Sequence, residues 1–256
     1  MNIKNVVFLM AHPDDAESSC GGTMIYFRER GAKIHIVVLT NGESGCGLIP
    51  PEEAIALRKR EAQQAADFLN VDLTILPIRD GYLEPSLSIR EMVVREIRKC
   101  NADLVITHPS NDYHPDHRAA SRLAMDSVFM TAIPGFCRDT PALPHVPVLL
   151  YHADVDGRDR NFIGDWALDI EPYLEEKMKA ISLHRDQMLL PEEREMPWDE
   201  VYPRLVERKG FKNRCHAEYN RELLMRQYGP EKGRTIVHAE VFQISPHGSP
   251  VRPEDL

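Results

Sequence analysis

NVVFLMAHPDDAESSCGGT, residues 5–23, sets an apolar run directly against a cluster of chemically active side chains. Asn5–Met10 reads as a strand apolar on both faces, and Ser19–Arg30 behind it as a helix. The pattern recurs downstream. Strands are expected at Lys33–Thr40, Asp72–Pro77, Asp103–His108 and Val146–His152, with helices at Pro51–Leu69, Ser88–Cys100 and Pro115–Thr131. Strands apolar on both faces and separated by helices imply parallel pairing, because each crossover helix covers one side of the sheet. The first half is therefore expected to be a doubly wound α/β unit. Past Gly157 the pattern loosens into a helix near 171–190, an acidic PEEREMPWDE segment, a basic stretch through Arg214, a last strand at Ile236–Ile244 and a loose tail.

With 256 residues, 43% of them hydrophobic, the chain can bury one sizeable core. A single domain over 1–256 is expected, with a core at about 1–155 and an elaboration from 156 to 256. A net charge of −9 argues against nucleic acid or anionic lipid as partners and favours a small molecule. Val6–Met10 and Ile34–Leu39 fall far short of the ~20 apolar residues that span a bilayer. The N-terminal run carries no small-residue cleavage site, so no secretion signal is expected. Cysteines at 20, 46, 100, 137 and 215 are odd in number and never form C-x-x-C, which fits a reducing cytoplasm better than a disulfide framework.

His-Pro-Asp occurs twice, at 12–14 after the first strand and at 114–116 after the fourth. Random order of this composition would give about 0.06 copies, so the repetition carries meaning. In a parallel sheet the loops at the strands' carboxyl ends converge on one crevice, where both copies can meet. Imidazole and carboxylate donors together suit Zn²⁺ better than Mg²⁺ or Ca²⁺. His12 and Asp15 flank a proline turn and can share one ion, and His117 completes three ligands with a fourth position open to water. Pro115 can start a helix whose first turn presents His114 and His117. Asp14 is then the candidate base. His114, charged through its proximity to Asp116, is the candidate oxyanion stabiliser or acid for the leaving amine.

NGESGCG at 41–47 has the spacing of neither a dinucleotide fingerprint nor a P-loop, and is expected to form a flexible wall of the cleft. Trp166 and Trp198 are expected to pack in the core, and His184 to be a surface or satisfied histidine.

AHPDDAE with Gly21-Gly22-Thr23, LTNGE at 39–43, the R-x-x-E-x-x-x-A-A stretch of 58–66 and THPSNDYHPDHRAA at 107–120 resemble the LmbE-like, or PIG-L-like, de-N-acetylases. The resemblance covers about residues 4–130, with weaker echoes in K-x-x-A-x-x-x-H-x-x-Q at 177–187 and AEVFQ at 239–243. It implies a Rossmann-like, mainly parallel sheet with helices on both faces, and zinc-dependent removal of the acetyl group from a GlcNAc-type sugar conjugate. Carried over by position, it implies His12, Asp15 and His117 as zinc ligands, Asp14 as base and His114, with Asp116, as its electrostatic or acid partner. Arg58, Asp80 and Tyr113 become expected substrate contacts, and a homo-oligomer is compatible. Ala16, between the paired aspartates and Glu17, departs from the shortest family motif. A zinc hydrolase of a non-sugar amide or ester, and a sugar-binding module without turnover, are the alternative readings.

Overall fold

The computed structural model describes residues 3–47, 49–153 and 162–256. Its order is β1 (Asn5–Met10), α1 (Asp15–Glu29), β2 (Lys33–Thr40), α2 (Pro51–Leu69), β3 (Asp72–Ile78), α3 (Leu87–Lys99), β4 (Leu104–Thr107), α4 (Pro115–Val128) and β5 (Val148–His152). The remainder comprises β6 (Trp166–Asp169), α5 (Leu174–Leu183), α6 (Arg185–Met188), α7 (Trp198–Lys209), α8 (Phe211–Tyr219), α9 (Arg221–Tyr228), α10 (Pro230–Thr235) and β7 (Ala239–Ile244). The seven strands form one sheet in the order β3-β2-β1-β4-β5-β7-β6. The first five pair in parallel, and β7 runs antiparallel to β5 and β6.

Strand alternation explains the two-sided burial. Val6, Phe8 and Met10 enter the core under α1 and α5, whereas Val7, Leu9 and Ala11 enter the one under α3 and α4. Both faces of β1 are covered, so both must be apolar. Strand order reverses at β1, whose neighbours are β2 and β4. A crevice opens there beyond the carboxyl ends of the strands, and the two His-Pro-Asp segments flank it.

Several sequence expectations need correction. Helix α1 begins at Asp15, four residues before Ser19, because its first turn is held from outside rather than by its own apolar stripe. Its path breaks at Cys20 (φ −133°, ψ 16°). Beyond the break the Glu240 carboxylate accepts from Gly22 N (2.9 Å), Thr23 N (2.7 Å) and Thr23 Oγ1 (2.6 Å). Lys177, fully buried, completes the shell at 2.6 Å. A Cβ on Gly22 would stand 2.5 Å from Ile170 Cγ2, and one on Gly21 2.8 Å from Lys177 Cγ. The two weaker echoes, at 177–187 and 239–243, thus meet the Gly21-Gly22-Thr23 stretch at one buried ion pair.

The helix expected near 171–190 breaks at His184. Before it lies β6, and after it four further helices, α7 to α10, none of which the sequence pattern located. The tail is not loose: Ser245 N donates to Leu149 O (2.9 Å), Ser249 N to Pro147 O (3.0 Å), and Val251 and Leu256 pack on the core. Trp166 is in the core, and Trp198 packs against its edge beneath Lys179. The expected division at about 155 lies outside the described residues. No described helix is long and apolar enough to cross a membrane, and all five cysteines are free thiols.

Candidate metal centre and active site

Asp14 ends the loop after β1 with φ 128°, a backbone state that costs a non-glycine residue about 1–3 kcal/mol. Arg58, 2% exposed on α2, holds it there: its Nη2 donates to Asp14 Oδ2 (2.9 Å) and to the Pro13 carbonyl. The turn places His12 and Asp15 side by side, with His12 N donating to Asp15 Oδ2 at 2.7 Å. On the far side of the crevice Pro115 starts α4. His114 Nδ1 caps that helix by accepting from Asp116 N (3.1 Å), and His117 follows on the first turn.

His12 Nδ1, Asp15 Oδ2 and His117 Nε2 form a triangle with sides of 3.2, 3.3 and 3.5 Å. Tetrahedral bonds of about 2.0–2.2 Å require donor separations of about 3.3–3.6 Å. The donor set therefore fits a zinc-sized ion. Carboxylates pin the opposite nitrogens, which leaves the inward ones with free lone pairs. His12 Nε2 lies 3.2 Å from Asp80 Oδ1 and 3.3 Å from Asp116 Oδ2, and His117 Nδ1 lies 3.0 Å from Asp112 Oδ1. Asp116 is fixed in turn by Gly81 N (2.7 Å) and Leu83 N (3.3 Å).

The electrostatics agree with an excess of negative charge here. Burial opposes a proton on His12, yet Asp116, Asp15 and Asp80 push its pKa up to about 12. His117, equally disfavoured by burial, is pushed up to about 9 by Asp15 and Asp112. Burial works against the Asp15 carboxylate too, but His117 and His108 hold its pKa well below the ordinary range. A divalent cation would displace protons that these imidazoles otherwise attract. Burial and the neighbouring His12 and His117 lower the pKa of His114. The N-cap bond to its Nδ1 makes it a neutral imidazole with the proton on Nε2. The expectation that Asp116 charges His114 fails on geometry: the Asp116 backbone N–H, not its carboxylate, meets the ring.

All the expected site residues converge on this crevice in different postures. His12, Asp14, Asp15, Arg58, Asp80, Tyr113, His114 and His117 line a cleft of about 420 Å³. Asp116 lies beneath it, 1% exposed. Tyr113 stands at the rim, 54% exposed, its ring 5.5 Å from that of His117. Ser44 and Gly45 of the NGESGCG stretch form one wall, where Glu43–Cys46 makes a 3-10 turn. His184 is fully buried, 3.4 Å from Glu17 Oε1.

Sequence reasoning passed over His108, Asp112 and His152. His108 stacks on His117 (4.0 Å between centroids), accepts from Ala11 N (3.0 Å), and meets His152 Nε2 through its Nδ1 (3.1 Å). His152 Nδ1 donates to Ala153 O at 2.8 Å, so a relay of neutral rings backs the metal-facing imidazole. Burial and His117 bring the pKa of His108 down to about 4. Its position immediately after β4, matching His12 just beyond β1, was the available signal.

Residues 7–128 match the family model described as PIG-L, GlcNAc-PI de-N-acetylase. A diacetylchitobiose deacetylase of Thermococcus kodakarensis is 27% identical over 199 residues, covering 73% of this chain and 71% of that protein. A 4-oxalmesaconate hydratase of Pseudomonas putida is 23% identical over 248 residues, 94% of this chain and 88% of that one. Among solved structures, the N,N'-diacetylchitobiose deacetylase from Pyrococcus horikoshii aligns with a TM-score of 0.72 at 25% identity, over 96% of this chain and 85% of that one.

Proposed function

We propose that this chain, which carries a PIG-L (LmbE-like) domain at residues 7–128, is a zinc-dependent de-N-acetylase that hydrolyses the N-acetyl amide of a GlcNAc-type conjugate and releases acetate. One observation carries the reading: the Asp14 carboxylate stands beside the three-donor triangle but is bound to Arg58. A carboxylate kept out of coordination next to such a set is placed to move protons.

His12, Asp15 and His117 would hold the ion. Bound there, Zn²⁺ would lower the pKa of water towards ~7 and polarise the amide carbonyl. Asp14 takes the proton from the attacking water and delivers it to the departing sugar nitrogen. His114 donates its Nε2 proton as a hydrogen bond to the carbonyl oxygen as negative charge develops there, a role worth about 2.7–4 kcal/mol for one oxyanion donor. Asp80 and Asp116 orient His12, and Asp112 orients His117. Arg58 fixes Asp14, and Tyr113 offers its exposed ring at the rim to the sugar.

Zinc-reloaded protein should release acetate from at least one member of a panel of N-acetylglucosaminides; release from none would remove the substrate assignment. A second reading, addition of water to an unsaturated carboxylate, draws on the match to the hydratase over 94% of the chain. It needs the same base and the same activated water, and product analysis separates the two.

A further inference from the structure

The cleft has two chemically distinct flanks. One carries the imidazoles and the carboxylates. The other is formed by Ser18 and Ser19 of α1, Met188 and Lys209, the last residue of α7. Buried Lys212 on α8 donates to Ser18 Oγ (3.1 Å) and approaches Ser19 Oγ at 3.4 Å. With their oxygens engaged as acceptors from behind, the two hydroxyls have their own protons left to donate, and neither makes another hydrogen bond among the described residues.

Lys209 is half-buried and has no hydrogen-bond or ion-pair partner among the described residues. Its neighbour Arg208 illustrates the contrast, binding Glu193 through Nη1 (2.8 Å) and Nη2 (2.7 Å) and also the Met188 carbonyl (3.0 Å). The cleft's other cation, Arg58, is committed to Asp14. The carboxylates of Asp14 and Glu193 attract the Lys209 ammonium, but neither comes within hydrogen-bond or ion-pair distance of it, so this half-buried cation, in one cleft with two hydroxyl donors, still lacks an acceptor that a ligand anion would supply.

We infer that Lys209, Ser18 and Ser19 form a subsite for an anionic group, carboxylate or phosphate, on the aglycone of the substrate, with Lys209 as the specificity-determining residue. The inference rests on the de-N-acetylase reading for the position of the sugar, and its test can fail separately from that reading.

Calorimetry on the zinc-loaded full chain would compare three amino sugars that are not turned over: glucosamine 1-phosphate, glucosamine linked glycosidically to a 2-hydroxy acid, and neutral methyl glucosaminide. Initial rates of acetate release from the N-acetylated forms accompany it. At least one anionic ligand should bind about tenfold tighter than the neutral one, and the arm that does so identifies phosphate or carboxylate. Lys209→Met should remove that preference through KM and Kd while leaving the neutral substrate unchanged, and Lys209→Arg should restore it. Equal affinities for all three ligands would overturn the subsite. So would an equal loss of kcat on every substrate in Lys209→Met, which would make Lys209 a partner of Asp14 instead. Anion preference without acetate release would remove the de-N-acetylase reading and keep the subsite, and the reverse result would do the opposite.

Discussion

His12 turns its Nδ1 towards Asp15 and His117 because its Nε2 rests 3.3 Å from the Asp116 carboxylate. Asp116 is buried and anchored by two backbone N–H groups of the loop after β3, so the ring inherits the rigidity of that loop. Asp116→Asn keeps an acceptor for that loop but removes the charge facing His12. It should weaken zinc binding about 10–100-fold with the fold intact, as measured by chelator competition alongside circular dichroism. Unchanged affinity would show that the contact does not tune the ligand.

Asp14→Asn should keep metal content at the wild-type level and lower kcat by about 10²–10⁴-fold. His12→Ala should lose both metal and turnover. Elemental analysis with single-turnover rates separates the two, and wild-type activity in Asp14→Asn would end the assignment of the base.

Arg58 faces inward onto Asp14 and Pro13, and this predicts a kinetic signature unlike that of a substrate contact. Arg58→Met should depress kcat by about 10²-fold, since misplacing a reacting group has that order of effect, with KM nearly unchanged. A raised KM at constant kcat would return Arg58 to direct substrate binding.

Burial, reinforced by Lys177, brings the Lys212 amine down from the ordinary lysine value of 10.5 to about 7. Between those two values the unfolded chain holds a proton that the folded chain gives up. Stability contributed by this residue should therefore rise with pH across that window, and below it the full penalty persists. Lys212→Met removes the penalty, so its Tm relative to wild type should be higher by several degrees at pH 6.5 than at pH 10. A difference independent of pH would refute the linkage.

Lys177→Met leaves Glu240 charged and buried without its cation, which should cost about 3–5 kcal/mol. Glu240→Gln keeps one oxygen acceptor, for Thr23, but sets an NH2 group against Gly22 N and leaves buried Lys177 without its counter-charge, and should cost at least as much. Denaturant melts of the two variants test the order.

Five strands and a crevice at their carboxyl ends were legible because apolar runs bounded by helices leave few alternatives for a parallel sheet, whereas the neighbourhood of β1 and β4 came only with the strand order. The pairing of residues 12–15 with 114–117 was legible for a related reason: loops at the carboxyl end of such a sheet converge on one crevice. His108 and His152 escaped notice because a lone histidine at a strand end looks like any polar cap, and their relay exists only once β4 and β5 are neighbours. Arg58 appeared in the sequence as one charge among several on α2. Its inward direction depends on the rotation of that helix against the loop after β1, which local pattern does not specify. Residues 190–236 were opaque because their helices are short and pack on β6, β7 and α1 rather than repeating a long apolar stripe.

The bend at Cys20 ties the first helix of the sheet to its strand β7. Every proposed ligand lies within the first 117 residues, yet the helix that Asp15 begins leans, just past its bend, on a carboxylate at position 240. A ribosome that has emitted all five parallel strands has still not delivered the brace. The first helix of the sheet's nucleus is thus completed by its last strand, and the path of α1 past the bend depends on a contact more than 200 residues downstream.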